Sequence, residues 1–170
     1  VSGSYKAALG LRKSPSVFAL SRQNLANLEH SDADKVAKGG YVVFPADKTP
    51  DLTFVATGSE VEIAIAAAQL LAADGITTNV VSMPCVDLFD EQDTAYKKEV
   101  FQEGVPVISV EAASPLGWHK YAHFQLGIST FGVSAPIDDA YKHFGLTKEN
   151  IAEKAKLVHK KLGGKATWLV

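Results

Sequence analysis

Asp51–Met83, DLTFVATGSEVEIAIAAAQLLAADGITTNVVSM, decides the fold class. Its first apolar run, Leu52–Ala56, has the length of a buried strand and stops at Thr57-Gly58. Ser59 and Glu62 form an S-x-x-E capping box, which predicts a helix starting at Glu60. Val61, Ala64, Ile65, Ala68 and Leu71 follow at three- and four-residue spacings and fall on one helical face. Gly75 is a natural stop, because glycine adopts the left-handed backbone of a helix end without penalty. Thr77–Ser82 is again apolar and β-branched. Together these form a βαβ unit with parallel strands, and so predict an α/β fold.

A βα turn carrying Gly58-Ser59 invites a phosphate reading, since a helix N-terminus presents free N–H groups. The turn has a single glycine, however, and neither G-x-G-x-x-G nor G-x-x-x-x-G-K-[ST] occurs in the chain. With Ser59 already explained as a cap, the structural reading is favoured. A small phosphate- or nucleotide-binding protein stays open as an alternative.

The chain has 170 residues, enough for one domain with a real core and an appendage. Apolar residues make up 46%, which excludes wholesale disorder. The formal charge is −2 and no basic cluster stands out, so nucleic-acid binding has no electrostatic support. One cysteine, Cys85, excludes an internal disulfide and a Cys-rich metal site, and it suits a reducing compartment. No apolar run approaches a membrane span, and VSGSYKAALG is no signal peptide. The expectation is a cytoplasmic protein without membrane or nucleic-acid partners.

Residues 1–35 do not read as the start of a domain. Ser4–Leu11 fits the end of a helix. Ser16–Leu20 is a strand candidate whose pairing partners are missing, and 25–38 is a connection. Beyond it, Tyr41–Phe44 predicts a strand, Asp90–Phe101 a helix capped by Asp90, and Val105–Glu111 a strand ending in a carboxylate. Trp118–Leu126 predicts a short helix, Ile128–Phe131 a short strand, and Pro136–Phe144 a helix stopped by Gly145. Thr147 caps a last helix, Lys148–Leu162, with Ile151, Ala155, Val158 and Leu162 as its apolar stripe and Gly163-Gly164 as its stop.

Few residues offer chemistry. Arg22, just after the Ser16–Leu20 segment, sits where α/β sheets present ligands, and its planar fork would suit a phosphate. A surface arginine is the plainer reading. His119 and His123 share the spacing of a metal pair on a helix, but H-x-x-x-H without the glutamate of H-E-x-x-H is weak. Cys85 has no nearby cation to activate it and reads as an inert thiol. Asp32, Asp34, Asp138 and Asp139 read as caps and solvated charges.

Seven strings resemble transketolase in order and at the family's separations: SVFALSRQNL, KGGYVV, VATGSEVEIA, VVSMP, SVEAASPLGWHKYA, FGVSAP and HFGLT. They run from about Ser4 to about Gly163; Ala166–Val170 departs from the pattern. Looser similarity extends to other thiamine-diphosphate enzymes, such as the beta subunits of 2-oxo acid dehydrogenases, whose equivalent domain helps bind a partner. The resemblance implies that residues 1–38 are the tail of a pyrimidine-binding domain plus linker, and 39–170 a C-terminal three-layer α/β/α domain with a mostly parallel, mixed sheet. It implies a homodimeric enzyme moving a two-carbon ketol unit between sugar phosphates of the pentose phosphate pathway. That enzyme uses thiamine diphosphate and a divalent cation, Mg or Ca. The family's Gly-Asp-Gly cofactor and metal motif is absent here, as are its activating glutamate and its active-site histidines. The implied role of this chain is therefore a non-catalytic, dimer-supporting domain with no cofactor or metal of its own. Arg22 in Ser21-Arg22-Gln23 matches the family arginine that binds the substrate phosphate. No catalytic residue transfers.

Overall fold

The sheet grows outward from β2, Leu52–Ala56, every residue of which is buried. In the computed structural model, which describes residues 1–163 and 165–170, β2 pairs in parallel with β3 (Thr78–Ser82) on one side and β4 (Val107–Val110) on the other. A further strand, β5 (Phe124–Leu126), pairs in parallel with β4, while β1 (Tyr41–Phe44) lies antiparallel along β3. The resulting order is β1-β3-β2-β4-β5, a mixed and mostly parallel sheet.

Side chains alternate across the pleat and supply a core on each face. Leu52, Phe54, Ala56, Val80, Ile108 and Val110 face α2 (Glu60–Ala73) and α6 (Lys148–Leu162), which meet them with Val61, Leu71, Ile151 and Ala155. Val55, Val81 and Val107 face the opposite layer, built from α3 (Val86–Asp90) and α4 (Thr94–Val100). There Phe89 is surrounded by Tyr96, Phe101 and Tyr121 at ring-centroid distances of 6.3, 5.5 and 6.2 Å. Each large side chain so enclosed contributes roughly 1.5–3 kcal/mol of burial. The layers are those of an α/β/α domain, as expected.

Residues 1–38 lie against this body. Helix α1 (Ser2–Gly10) packs on the 3₁₀ turn Lys35–Lys38, and a Cβ on Gly3 would strike the Ala33 carbonyl at 2.5 Å. Leu28 and Val36 join the α2-side core.

Five local expectations are corrected. Ser16–Leu20 forms no strand: it has no ladder partner, Val17 is 94% exposed, and Phe18 stacks on Tyr5 at 4.5 Å. The capping box does not form. Ser59 already has helical angles, its hydroxyl donates to Glu60 at 3.0 Å, and Glu62 is exposed. The helix expected over 90–101 is split in two. Asp93 caps α4 by accepting from the Tyr96 N–H at 2.8 Å, while Asp90 accepts from the Tyr121 hydroxyl at 2.8 Å. The segment 118–126 has the right spacing for a helix, but only Trp118–Lys120 turns, as 3₁₀. The free edge of β4 draws Phe124–Leu126 into the sheet instead, and ladder pairing overrides local periodicity. Ile128–Phe131 is irregular, with Phe131 98% exposed.

The remaining stops hold. Gly75, Gly145 and Gly163 have φ of 78°, 70° and 57°, and Thr147 caps α6 through the Asn150 N–H. Gly164 lies outside the described residues. The divergent tail is docked, with the Ala166 N–H donating to Gly104 at 2.9 Å and the Trp168 indole to Phe101 at 3.0 Å. Among the described residues no helix is long and apolar enough to cross a membrane.

Candidate functional site

Chain leaves β2 and β4 in opposite directions, β2 towards β3 and β4 towards β5. The carboxyl ends of these two neighbours are therefore the topological switch point, where α/β sheets place ligands. The turn Thr57-Gly58-Ser59 and Glu60 stand at the end of β2, and Glu111 stands just past β4.

Glu60 opens α2 yet is only 3% exposed. A buried carboxylate needs donors, and it receives two: Ser59 Oγ at 3.0 Å and the Tyr141 hydroxyl in a short bond. Tyr141 comes from α5 (Ile137–His143), so one bond ties α5 to the first turn of α2. Burial, then the Glu60 carboxylate, pushes the Tyr141 hydroxyl up to about 12, so it stays a proton donor at every ordinary pH. Glu111 is less well served. Its Oε2 is buried without a hydrogen-bond partner among the described residues. Burial, with Glu60's charge adding to it, pushes its carboxyl up to about 7.

Arg22 is exposed and makes no ion pair among the described residues. Its neighbour Ser21 lies beside the switch point, with Oγ 3.0 Å from where a Cβ on Gly58 would stand. The sequence placed Arg22 after a strand end. It is instead near the carboxyl end of β2, a strand thirty residues downstream in the chain.

The other candidates separate. His119 is exposed on the 3₁₀ turn, whereas both ring nitrogens of His123 are engaged. His123 Nδ1 accepts from the Val107 N–H at 3.0 Å, which leaves the proton on Nε2 to be donated to the Thr167 carbonyl at 2.7 Å. Cys85 is a half-buried free thiol. Asp32 accepts from the Asp34 and Lys35 N–H groups, which holds its carboxyl below the usual range.

These residues do not fit thiamine diphosphate or its divalent cation. Among the described residues no three His, Cys, Asp or Glu side chains converge as metal ligands. At the switch point the Glu60 and Glu111 carboxyls would oppose a diphosphate, and the same argument removes Thr57–Ser59 as a phosphate cradle. No chemical step is assigned to the group within this chain.

The family model for the transketolase-like C-terminal domain matches residues 39–147. The chain belongs to the transketolase C-terminal domain family. Transketolase 1 of Candida albicans is 46% identical over 165 residues, which are 97% of this chain and 24% of that protein. The chloroplastic transketolase of Solanum tuberosum is 44% identical over 162 residues, 92% of this chain and 22% of that one. The crystal structure of Pichia stipitis transketolase in complex with sedoheptulose-7-phosphate superposes with a TM-score of 0.93 at 40% identity, covering 98% of this chain and 25% of that one. The chain thus spans about a quarter of the length of the relatives it matches.

Glu60 and Tyr141 went unread in the sequence. Glu60 has the pattern of an ordinary acidic residue in a helix's first turn, and nothing in the sequence around Tyr141 marks its hydroxyl as the partner of a buried carboxylate.

Proposed function

We propose that this chain is the C-terminal portion of a transketolase, and that Arg22 binds the phosphate of the sugar substrate when the rest of the enzyme is present. The carrying observation is Arg22's position. It is an exposed guanidinium without an ion pair among the described residues, on a segment that meets the turn after β2 through Ser21, within a chain that aligns along 97% of its length with a transketolase. Pichia stipitis transketolase has been crystallised with sugar phosphates, which supports that ligand class. In this reading residues 1–38 end the pyrimidine-binding domain and 39–170 form the C-terminal domain. Thiamine diphosphate and Mg or Ca are held by parts of the enzyme outside this chain, and the enzyme is a cytoplasmic homodimer of the pentose phosphate pathway. The isolated chain then carries no ketol transfer of its own.

A fork-to-phosphate contact adds binding energy remote from the reacting carbons and orients them. Arg22→Ala in the full-length enzyme is expected to raise KM for phosphorylated sugars about ten- to a hundredfold, the usual worth of a charge-assisted bond. KM for unphosphorylated ketoses should hardly change. Equal losses on both substrate types would remove the assignment. Ketol transfer by the 170-residue chain alone would overturn the non-catalytic reading.

A further inference from the structure

Exposed apolar side chains are unevenly spread over this domain. Strands β2, β3, β4 and β5 run parallel, so their carboxyl ends share one edge of the sheet. Two loops leave that edge beside the switch point, 111–117 after β4 and 127–136 after β5. Leu116 in the first is 84% exposed and Phe131 in the second 98%, with Val133 and Ile137 also exposed. The loops are held side by side: the Ile128 N–H donates to the Ala113 carbonyl at 2.8 Å, and a Cβ on Gly127 would stand 2.8 Å from that same oxygen. The stretch 16–22 reaches the same edge where Ser21 meets the turn after β2, and it brings Val17, 94% exposed, and Leu20. At the opposite end the loops 45–51, 74–77 and 101–106, which precede β2, β3 and β4, expose no large apolar side chain among the described residues. Large apolar groups gathered at one end of a domain mark a surface that meets another.

We infer that this end of the sheet, with Leu116 and Phe131 as its anchors, is the surface on which the domain docks against the amino-terminal remainder of the transketolase polypeptide. Most of the length of the chain's relatives lies outside it, so an occupant of that size is at hand. A second copy fits less well. Docked through the same face, it would bring two Arg22 guanidiniums into one apolar contact, and like charges so placed oppose association. The remainder of the polypeptide instead meets a single Arg22 and leaves it at the seam between the docked parts, where a substrate phosphate could reach it. The identity of the occupant rests on the transketolase reading above, whereas the surface itself rests on Leu116, Phe131 and their neighbours.

Hydroxyl-radical footprinting of the full-length enzyme, read by mass spectrometry, compares residues of one type within one sample. Leu157 lies on α6 next to Lys156, which pairs with Asp74 at the far end of α2, so it is remote from this face and serves as the exposed reference. Leu116 is the more exposed of the two leucines here, yet in the full-length enzyme it should label at least about fivefold more slowly than Leu157, as at the dry centre of an interface. Phe131 should label as slowly as the fully buried Phe89. Leu116→Asp should restore labelling at Phe131, and Leu157→Asp should not. Leu116 labelling as fast as Leu157, with Phe131 well ahead of Phe89, would overturn the inference without recourse to any variant. Protection of Leu116 that appears in the 170-residue chain alone and grows with its concentration would overturn it too, by assigning the face to a second copy. Absence of ketol transfer from the full-length protein would end the functional reading, whereas fast labelling at both residues would end this inference alone.

Discussion

Replacing Glu111 with glutamine should stabilise the protein above neutral pH and flatten its pH dependence. The side chain stands just past β4, with one carboxylate oxygen buried and unpartnered, and burial and Glu60 push its carboxyl from 4.5 up to about 7. The unfolded chain gives up this proton near 4.5, whereas the folded chain keeps it until about 7. Over that interval the folded state binds more protons, so stability falls as pH rises and the whole cost is present above pH 7. Taken at face value, the shift corresponds to about 3 kcal/mol. Water reaches the exposed part of the side chain and screens it, leaving about 1–2 kcal/mol. Glu111→Gln keeps the shape and cannot ionise. At pH 8 it should therefore exceed the parent by about 1–2 kcal/mol, or about 3–6 °C in Tm, and at pH 5 only a small part of that difference should remain. Urea unfolding followed by circular dichroism at pH 5, 6, 7 and 8 measures this, provided the m-value is unchanged. Parallel pH profiles for the two proteins would refute the reasoning.

Glycine substitutions separate backbone strain from collision. Gly39→Ala would place a Cβ 2.2 Å from the Phe89 nitrogen at φ 81°, and should cost more than about 3 kcal/mol or prevent folding. Gly75→Ala, at φ 78° in open space, meets only the left-handed penalty of about 1–2 kcal/mol. Equal losses in thermal melts of the two would show that the Gly39 contact is not tight. Thr53, fully buried in β2, has a hydroxyl with no partner among the described residues. Thr53→Val is nearly isosteric and should be neutral or stabilising by about 1 kcal/mol in urea melts, and a clear loss would reveal a partner for that hydroxyl.

Local rules were enough wherever a segment's surroundings agreed with its own preference. Leu52–Ala56, Gly75 and Thr147 were legible because burial length, a left-handed stop and a hydroxyl cap act within one turn of chain. The family strings were legible in the same direct way. The rest depended on partners far away in sequence. Phe124–Leu126 has helical spacing but lies beside an unpaired edge of β4, and the ladder outweighs a marginal local preference. Ser16–Leu20 has strand composition and no strand to pair with. Asp90 gave up its expected capping role because Tyr121, thirty-one residues on, offers it a hydroxyl. Ser59–Glu60, after the first strand of Asp51–Met83, reads as a helix start, and it is one. That the same two residues also receive the Tyr141 hydroxyl was decided only when α5 folded over the switch point, because a buried carboxylate takes its donors from whatever the tertiary structure brings within reach.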